Sequence, residues 1–364
     1  MKAYINSYEL QSCVGNTKEL MEAIYDQRSG ISIDTSYMRD TPVGLGKMSK
    51  GDFFLTLNEV VRSVLECSSL ENFSNTLLIV GSSVGGMSES ETHYFKDKNY
   101  KNIDSSRHAI SVIENSLQEE FSFKDVRSIS TACTSSANAF LLAKRLINVE
   151  AYDNVLVVGA DALCYTTVCG FYALSVLSSK PCTPFSENRE GMNVAEAIAA
   201  VLVQNVQTQN SIELCGVGAS SDAYHMTNPD PEAGGAISSM SNALKDAGLN
   251  VEDINYVNAH GTGTLANDNV EALAIEKLFA NGVSVSSTKA ITGHTLGAAG
   301  AIEAIISCEA IKQGKIPPQT NMKIQDNKNI NIPIQTIKQK VNYVVSNSFA
   351  FGGNNTSIIF GGVK

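Results

Sequence analysis

The sequence has no CxxC pair, no basic excess and no apolar run near the roughly 20 residues a membrane-spanning helix needs. Lys and Arg total 27 against 37 Asp and Glu, a formal charge of −10. Non-specific nucleic-acid binding needs a basic field and is therefore not expected. An acidic partner protein would have to dock on a local basic patch. The opening Met-Lys-Ala-Tyr-Ile-Asn lacks the charged and apolar regions of a signal peptide, so a cytoplasmic location is expected. Eight cysteines lie scattered at 13, 67, 133, 164, 169, 182, 215 and 308. That spread suits reduced thiols better than a disulfide framework or a zinc site.

What is present is the composition of a well-buried globular enzyme. The 364 residues are 43% apolar and 18% charged, enough for two α/β units of ordinary size. Buried-strand patterns fall at 76–80, 126–130 and 154–159. A helical spacing at 134–147 follows the second of them. The order then recurs, with strands at 254–257, 283–287 and 343–346 and a helix of small residues from about 295 to 311. Each half also opens on its own strand, at 2–7 and 211–218. Alternating strands and helices predict parallel sheets covered by helices, and the repeated order predicts a duplication with halves 1–210 and 211–364. In such sheets chemistry collects at the carboxyl ends of strands, where the unusual loops fall.

The first such loop, TACTSS at 131–136, places Cys133 between a strand end and a helix start. A helix N-terminus lowers a thiol pKa and can hold an oxyanion. Two readings stay open on this context alone, a buried packing thiol and a nucleophile. His260 lies in NAHGTGT (258–264), where glycines allow close backbone approach and Thr262 and Thr264 offer hydroxyls. His294 lies in STKAITGHTLGAAGAIE (287–303), before the second helix. His93 and His108 sit in a polar stretch and read as surface residues; His225 reads as a loop or core residue. The two loop histidines have no paired acidic ligand at helical spacing, so no zinc pattern is recognised and no metal is expected. Neither glycine-rich loop matches a phosphate-binding fingerprint. One thiol with two imidazoles can take an acyl group and stabilise an enolate oxygen.

Taken in order, GSSVGG (81–86), TACTSS, SSDAYHMT (220–227), NAHGTGT, STKAITGHTLGAAGAIE and NSFAFGGNN (347–355) resemble the elongating β-ketoacyl–acyl carrier protein synthases of the thiolase superfamily. The resemblance implies two pseudo-symmetric βαβαβ halves in five α-β-α-β-α layers. It implies Cys133 as the acylated nucleophile, and His260 and His294 as the pair supporting malonyl decarboxylation. Lys289 matches the active-site lysine and Glu303 its glutamate partner. Phe351 matches a gating phenylalanine whose backbone N–H joins that of Cys133 in an oxyanion hole. Thr262 and Thr264 match the hydroxyls that bind the carrier's phosphopantetheine arm. The implied reaction is acyl transfer followed by decarboxylative condensation, with no dissociable cofactor. The implied partners are an acyl carrier protein and a second subunit, as homodimer or heterodimer.

Three departures stand out. Where the family reads like GFVLGEGAG, this chain has GMNVAEAIA at 191–199. Ala350 replaces the glycine before the gating phenylalanine, and the region before Thr76 is short. These point to a specialised polyene or polyketide pathway rather than housekeeping fatty-acid synthesis. The main rival is a silent chain-length-factor subunit, which lacks the cysteine. A thiolase would need a second catalytic cysteine, and initiating synthases carry asparagine where His294 stands. Candidate basic contacts for the acidic carrier are Lys47, Lys50, Arg62, Lys144 and Arg145.

Overall fold

The computed structural model describes residues 1–363 apart from 39, 40, 50, 69, 71, 72, 102 and 281. The first half supplies strands β1 (Tyr4–Ser12), β2 (Thr76–Gly81), β3 (Asp125–Ile129), β4 (Asn154–Asp161) and β5 (Ala197–Gln204). The second supplies β6 (Ile212–Ser221), β7 (Tyr256–Asn258), β8 (Ser284–Ser286), β9 (Tyr343–Phe349) and β10 (Asn354–Gly362). In space they run β8-β7-β9-β10-β6-β1-β5-β4-β2-β3.

The two sets share one plan. β1-β5-β4-β2-β3 and β6-β10-β9-β7-β8 place their strands in the same relative chain order. In both, the three strands farthest from the joint are parallel and the last strand of the set runs antiparallel between its neighbours. The sets meet where Tyr4 and Ile5 pair with Glu213 and Ile212.

Six helices position the site: α1 (Phe53–Glu66), α2 (Ser111–Phe121), α3 (Ser135–Asn148), α4 (Gly234–Ala247), α5 (Leu265–Leu278) and α6 (Ala299–Gln313). The strands alternate side chains between two cores, as period 2 requires. Leu77, Ile79, Val155 and Val157 pack inward with α3 and α6. Leu78, Val80, Leu156 and Val158 pack outward against α1 and α2. In the second half Val257, Val285 and Val345 face α4 and α5. The result is the five-layer α-β-α-β-α arrangement of the thiolase fold, with α3 and α6 as the middle layer.

Small residues let those two central helices touch. A Cβ on Gly300 would lie 2.7 Å from the Ala137 backbone nitrogen, and Ser136 Oγ accepts from Ala301 N–H at 3.0 Å. The expected helix from 295 begins instead as a 3₁₀ turn, Leu296–Ala298, before α6. Strands β5 and β10 fall outside the strand patterns read from the sequence. Every residue of β5 is buried, and a continuous apolar run carries no period to separate strand from helix.

Candidate active site

Chemistry-bearing residues gather at the carboxyl ends of β3, β7, β8 and β9. Cys133 follows β3, and its neighbour Ala132 adopts a left-handed φ of 52°. That turn sets the thiol two residues before α3. His294 follows β8, the counterpart of β3 in the second half, and the helices after these strands are the touching pair α3 and α6. The repeat therefore places nucleophile and imidazole on corresponding elements and brings them together at the middle layer.

His294 Nε2 lies 3.0 Å from Cys133 Sγ. The His260 ring stands edge-on to the His294 ring, with centroids 5.1 Å apart. All three side chains are buried, at 8% exposure or less. Burial pushes the Cys133 thiol up to about 12, with Lys289 pulling it down and Asp161 and Glu303 pushing it further up. The helix-start context points the other way. At this depth the cost of desolvating a thiolate works against the help of the helix and favours the thiol form. Burial holds both imidazoles well below 6.5, reinforced by the Lys289 charge and, for His260, by His294. Neutral rings beside a thiol can accept its proton or donate to an oxygen anion.

Lys289 and Glu303 form a buried ion pair behind the rings. Burial pushes the Glu303 carboxyl up to about 7 against the pull of Lys289. The Cys133, His260 and His294 ligand atoms all lie within 4.8 Å of one another, the one metal-competent group of three or more found among the described residues.

Two carboxylates that no sequence motif singles out hold these loops. Asp161, at the end of β4, accepts from Ser82 Oγ, the Ser83 and Val84 N–H groups and Gly297 N–H. Ser83 Oγ in turn reaches the Ala132 carbonyl at 2.9 Å, so one buried acid ties the loop after β2 to both the Cys133 and His294 turns. Glu271 on α5 accepts the N–H groups of His260 and Gly261 at 2.8 and 2.7 Å. Burial raises their carboxyls to about 6 and about 7. The signal that could have found Asp161 is an acid closing the apolar run NVLVVGAD.

A cavity of about 300 Å³ opens onto the triad, lined also by Thr262, Thr264, His225, Phe171, Met192 and Phe351. The Thr262 and Thr264 hydroxyls lie 2.9 Å apart. Phe351 is 37% exposed at the rim, its ring 6.0 Å from that of Phe171. His93 and His108 are exposed, as expected of surface residues. His225 is exposed too, in a loop on the cavity wall, where Nδ1 accepts from Thr227 N–H.

The candidate basic contacts for a carrier fare less well. Lys144 is buried and bonded to Asp246 at 2.9 Å, so it is not a surface contact. Lys144 and Arg145 also lie near the far end of α3, about 15 Å along the helix from its N-terminus. Lys47 is paired with Asp34 at 2.5 Å and Arg62 with Glu120. Lys50 lies outside the described residues.

Known proteins carry the same pattern. Residues 56–209 match the family described as beta-ketoacyl synthase, N-terminal domain, and residues 212–323 match its C-terminal domain. The chain belongs to the β-ketoacyl synthase family. A 3-oxoacyl-[acyl-carrier-protein] synthase 2 of Coxiella burnetii is 39% identical over 250 residues, 64% of this chain and 60% of that protein. Nodulation protein E of Rhizobium meliloti is 36% identical over 247 residues, again 64% and 60%. The chain thus spans about three fifths of the curated relatives it matches. Among solved structures, a ketosynthase in complex with its chain length factor from Xenorhabdus doucetiae aligns with TM-score 0.91 and 30% identity, covering 100% of this chain and 98% of that one. No helix among the described residues is long and apolar enough to cross a membrane.

Proposed function

We propose that this β-ketoacyl synthase family member condenses an acyl group with malonyl–acyl carrier protein to give 3-oxoacyl–acyl carrier protein. The observation that carries the reading is the 3.0 Å approach of His294 Nε2 to the Cys133 thiol, with His260 beside it in one buried cavity. Cys133 attacks the acyl-carrier thioester; its S–H proton passes to His294 and on to the departing carrier thiol, leaving acyl-Cys133. Malonyl-carrier then loses carbon dioxide, and the resulting enolate oxygen is held by hydrogen bonds from the two imidazoles. The enolate carbon attacks the acyl carbonyl, a C–C bond forms, and the Cys133 C–S bond breaks. The released Cys133 thiolate takes up one proton from solvent, by way of His294, and the thiol is regained.

Lys289, paired with Glu303, sets the charge behind the rings. Phe351 at the rim suits a gate, with its N–H and that of Cys133 as oxyanion donors. Thr262 and Thr264 suit the phosphopantetheine arm, since both hydroxyls line the entry. Carbon dioxide loss drives the step, so the reaction needs no dissociable cofactor. The partners under this reading are an acyl carrier protein and a second, related or identical subunit, in the cytoplasm.

The non-elongating chain-length-factor reading is disfavoured by the complete thiol–imidazole–imidazole set. The altered 191–199 segment and Ala350 support a specialised pathway over housekeeping fatty-acid synthesis. Incubation with acyl-carrier and malonyl-carrier should yield a product two carbons longer. Consumption of malonyl-carrier with no longer product would overturn the reading, and a clear preference for saturated over polyunsaturated chains would overturn the specialised pathway.

A further inference from the structure

Asn193 is fully buried, yet it falls where the family motif GFVLGEGAG carries valine. Its side chain is not idle. Oδ1 accepts from Cys182 N–H at 2.7 Å, while Nδ2 donates to the Lys180 carbonyl at 3.0 Å and sits 3.4 Å from that of Ser178. The turn it serves contains Pro181, which has no N–H, so the turn satisfies little of itself. On its other side the Asn193 backbone carbonyl accepts from His294 N–H at 2.7 Å, and Ala195 N–H returns a bond to the His294 carbonyl at 3.0 Å.

Two neighbours show how closely this clasp is fitted. A Cβ on Gly44 would fall 2.3 Å from Asn193 Nδ2. Gly293, immediately before His294, has φ of 69° and abuts the Ala195 side chain and the Asn193 carbonyl. The clasp also reaches the lysine, because Cys182 Sγ contacts the Lys289 carbonyl at 3.3 Å. One residue thus fastens the backbone of His294 and, through the 178–182 turn, that of Lys289.

We infer that Asn193 is a positioning residue, which fixes the spacing of His294 and Lys289 and so holds the His294 ring in register with Cys133. This rests on the ketosynthase reading. A valine at 193 keeps the backbone bonds but leaves the Cys182 N–H and Lys180 carbonyl without their partner, so the segment loses its anchor on the side away from His294.

The test is Asn193→Val, with malonyl-carrier decarboxylation measured per acylatable Cys133, the site count coming from acylation to saturation. Counting sites removes any loss due to misfolded protein. The expected result is a fall in kcat per site of tenfold or more, a KM for malonyl-carrier within threefold of wild type, and a shifted pH profile. Asn193→Ser, which keeps a hydroxyl acceptor for Cys182 N–H, should fall between the two and remains measurable if the valine variant is unstable. An unchanged rate per site and pH profile in a variant that merely melts earlier would overturn the inference. If wild-type protein neither acylates nor decarboxylates, it is the ketosynthase reading that fails.

Discussion

His294 Nε2 and Cys133 Sγ lie 3.0 Å apart although 161 residues separate them in the chain. They follow corresponding strands of the two halves, and the contact exists because α3 and α6 meet through glycine, alanine and serine. With burial holding the thiol near 12, the imidazole is the proton acceptor within reach. His294→Ala should slow acylation of Cys133 by roughly 10²–10⁴-fold, the usual worth of a positioned base. Rapid-quench measurement of the acyl-enzyme checks this; a change under threefold would remove His294 from the acylation step.

Different pH slopes are expected for the two half-reactions of the proposed condensation. The thiol is raised, so its thiolate fraction grows about tenfold per pH unit below 12, and slow alkylation of Cys133 by iodoacetamide should climb steadily from pH 7 to 9. The imidazoles are lowered, so their neutral forms persist below 6.5, and decarboxylation should stay flat as pH falls from 8 through 6.5. A decline centred at 6.5 would show that the rings are not desolvated as described.

Asp161 holds three loops, and an amide cannot accept what its carboxylate accepts. Asp161→Asn should lower stability by about 2–4 kcal/mol in urea titrations, because an NH₂ group would face backbone donors. Its folded carboxyl is raised to about 6 from a reference of 3.8. A raised group stabilises the fold fully below its unfolded value and loses that contribution as pH rises. The gap between wild type and variant should therefore widen by about 2 kcal/mol as pH falls from 6 to 4. A gap independent of pH would contradict the buried acid.

Lys144→Glu separates docking from folding. Two carboxylates would then meet where Lys144 and Asp246 now pair, so stability should drop by about 2–4 kcal/mol. KM for acyl-carrier should not change, since Lys144 is buried away from the mouth. A raised KM with unaltered stability would return this residue to the docking surface.

Cys133, His260 and His294 stood out because each sits in an unusual loop beyond an apolar strand, and the family resemblance joined them as one site. The repeated strand order pointed to two α/β halves, while the five layers were implied by the family resemblance. What escaped were residues whose role depends on partners far along the chain. Asp161, Glu271 and Asn193 act on backbone groups of other loops, and of the three only Asp161, closing the apolar run NVLVVGAD, carries a local signal. β5 escaped because its buried run, with alanine at 197, 199 and 200, shows no alternation and suits a helix as well as a strand. Lys144 was misplaced because a long side chain in an amphipathic helix reads as surface, until Asp246 of α4 is seen opposite it.

The decisive measurement is the mass of the intact protein after incubation with acyl-carrier. Wild type should gain one acyl group, Cys133→Ala none, although its other seven cysteines remain. Wild type left at its original mass, or a variant that still gains the acyl group, would contradict Cys133 as the residue that carries the chain.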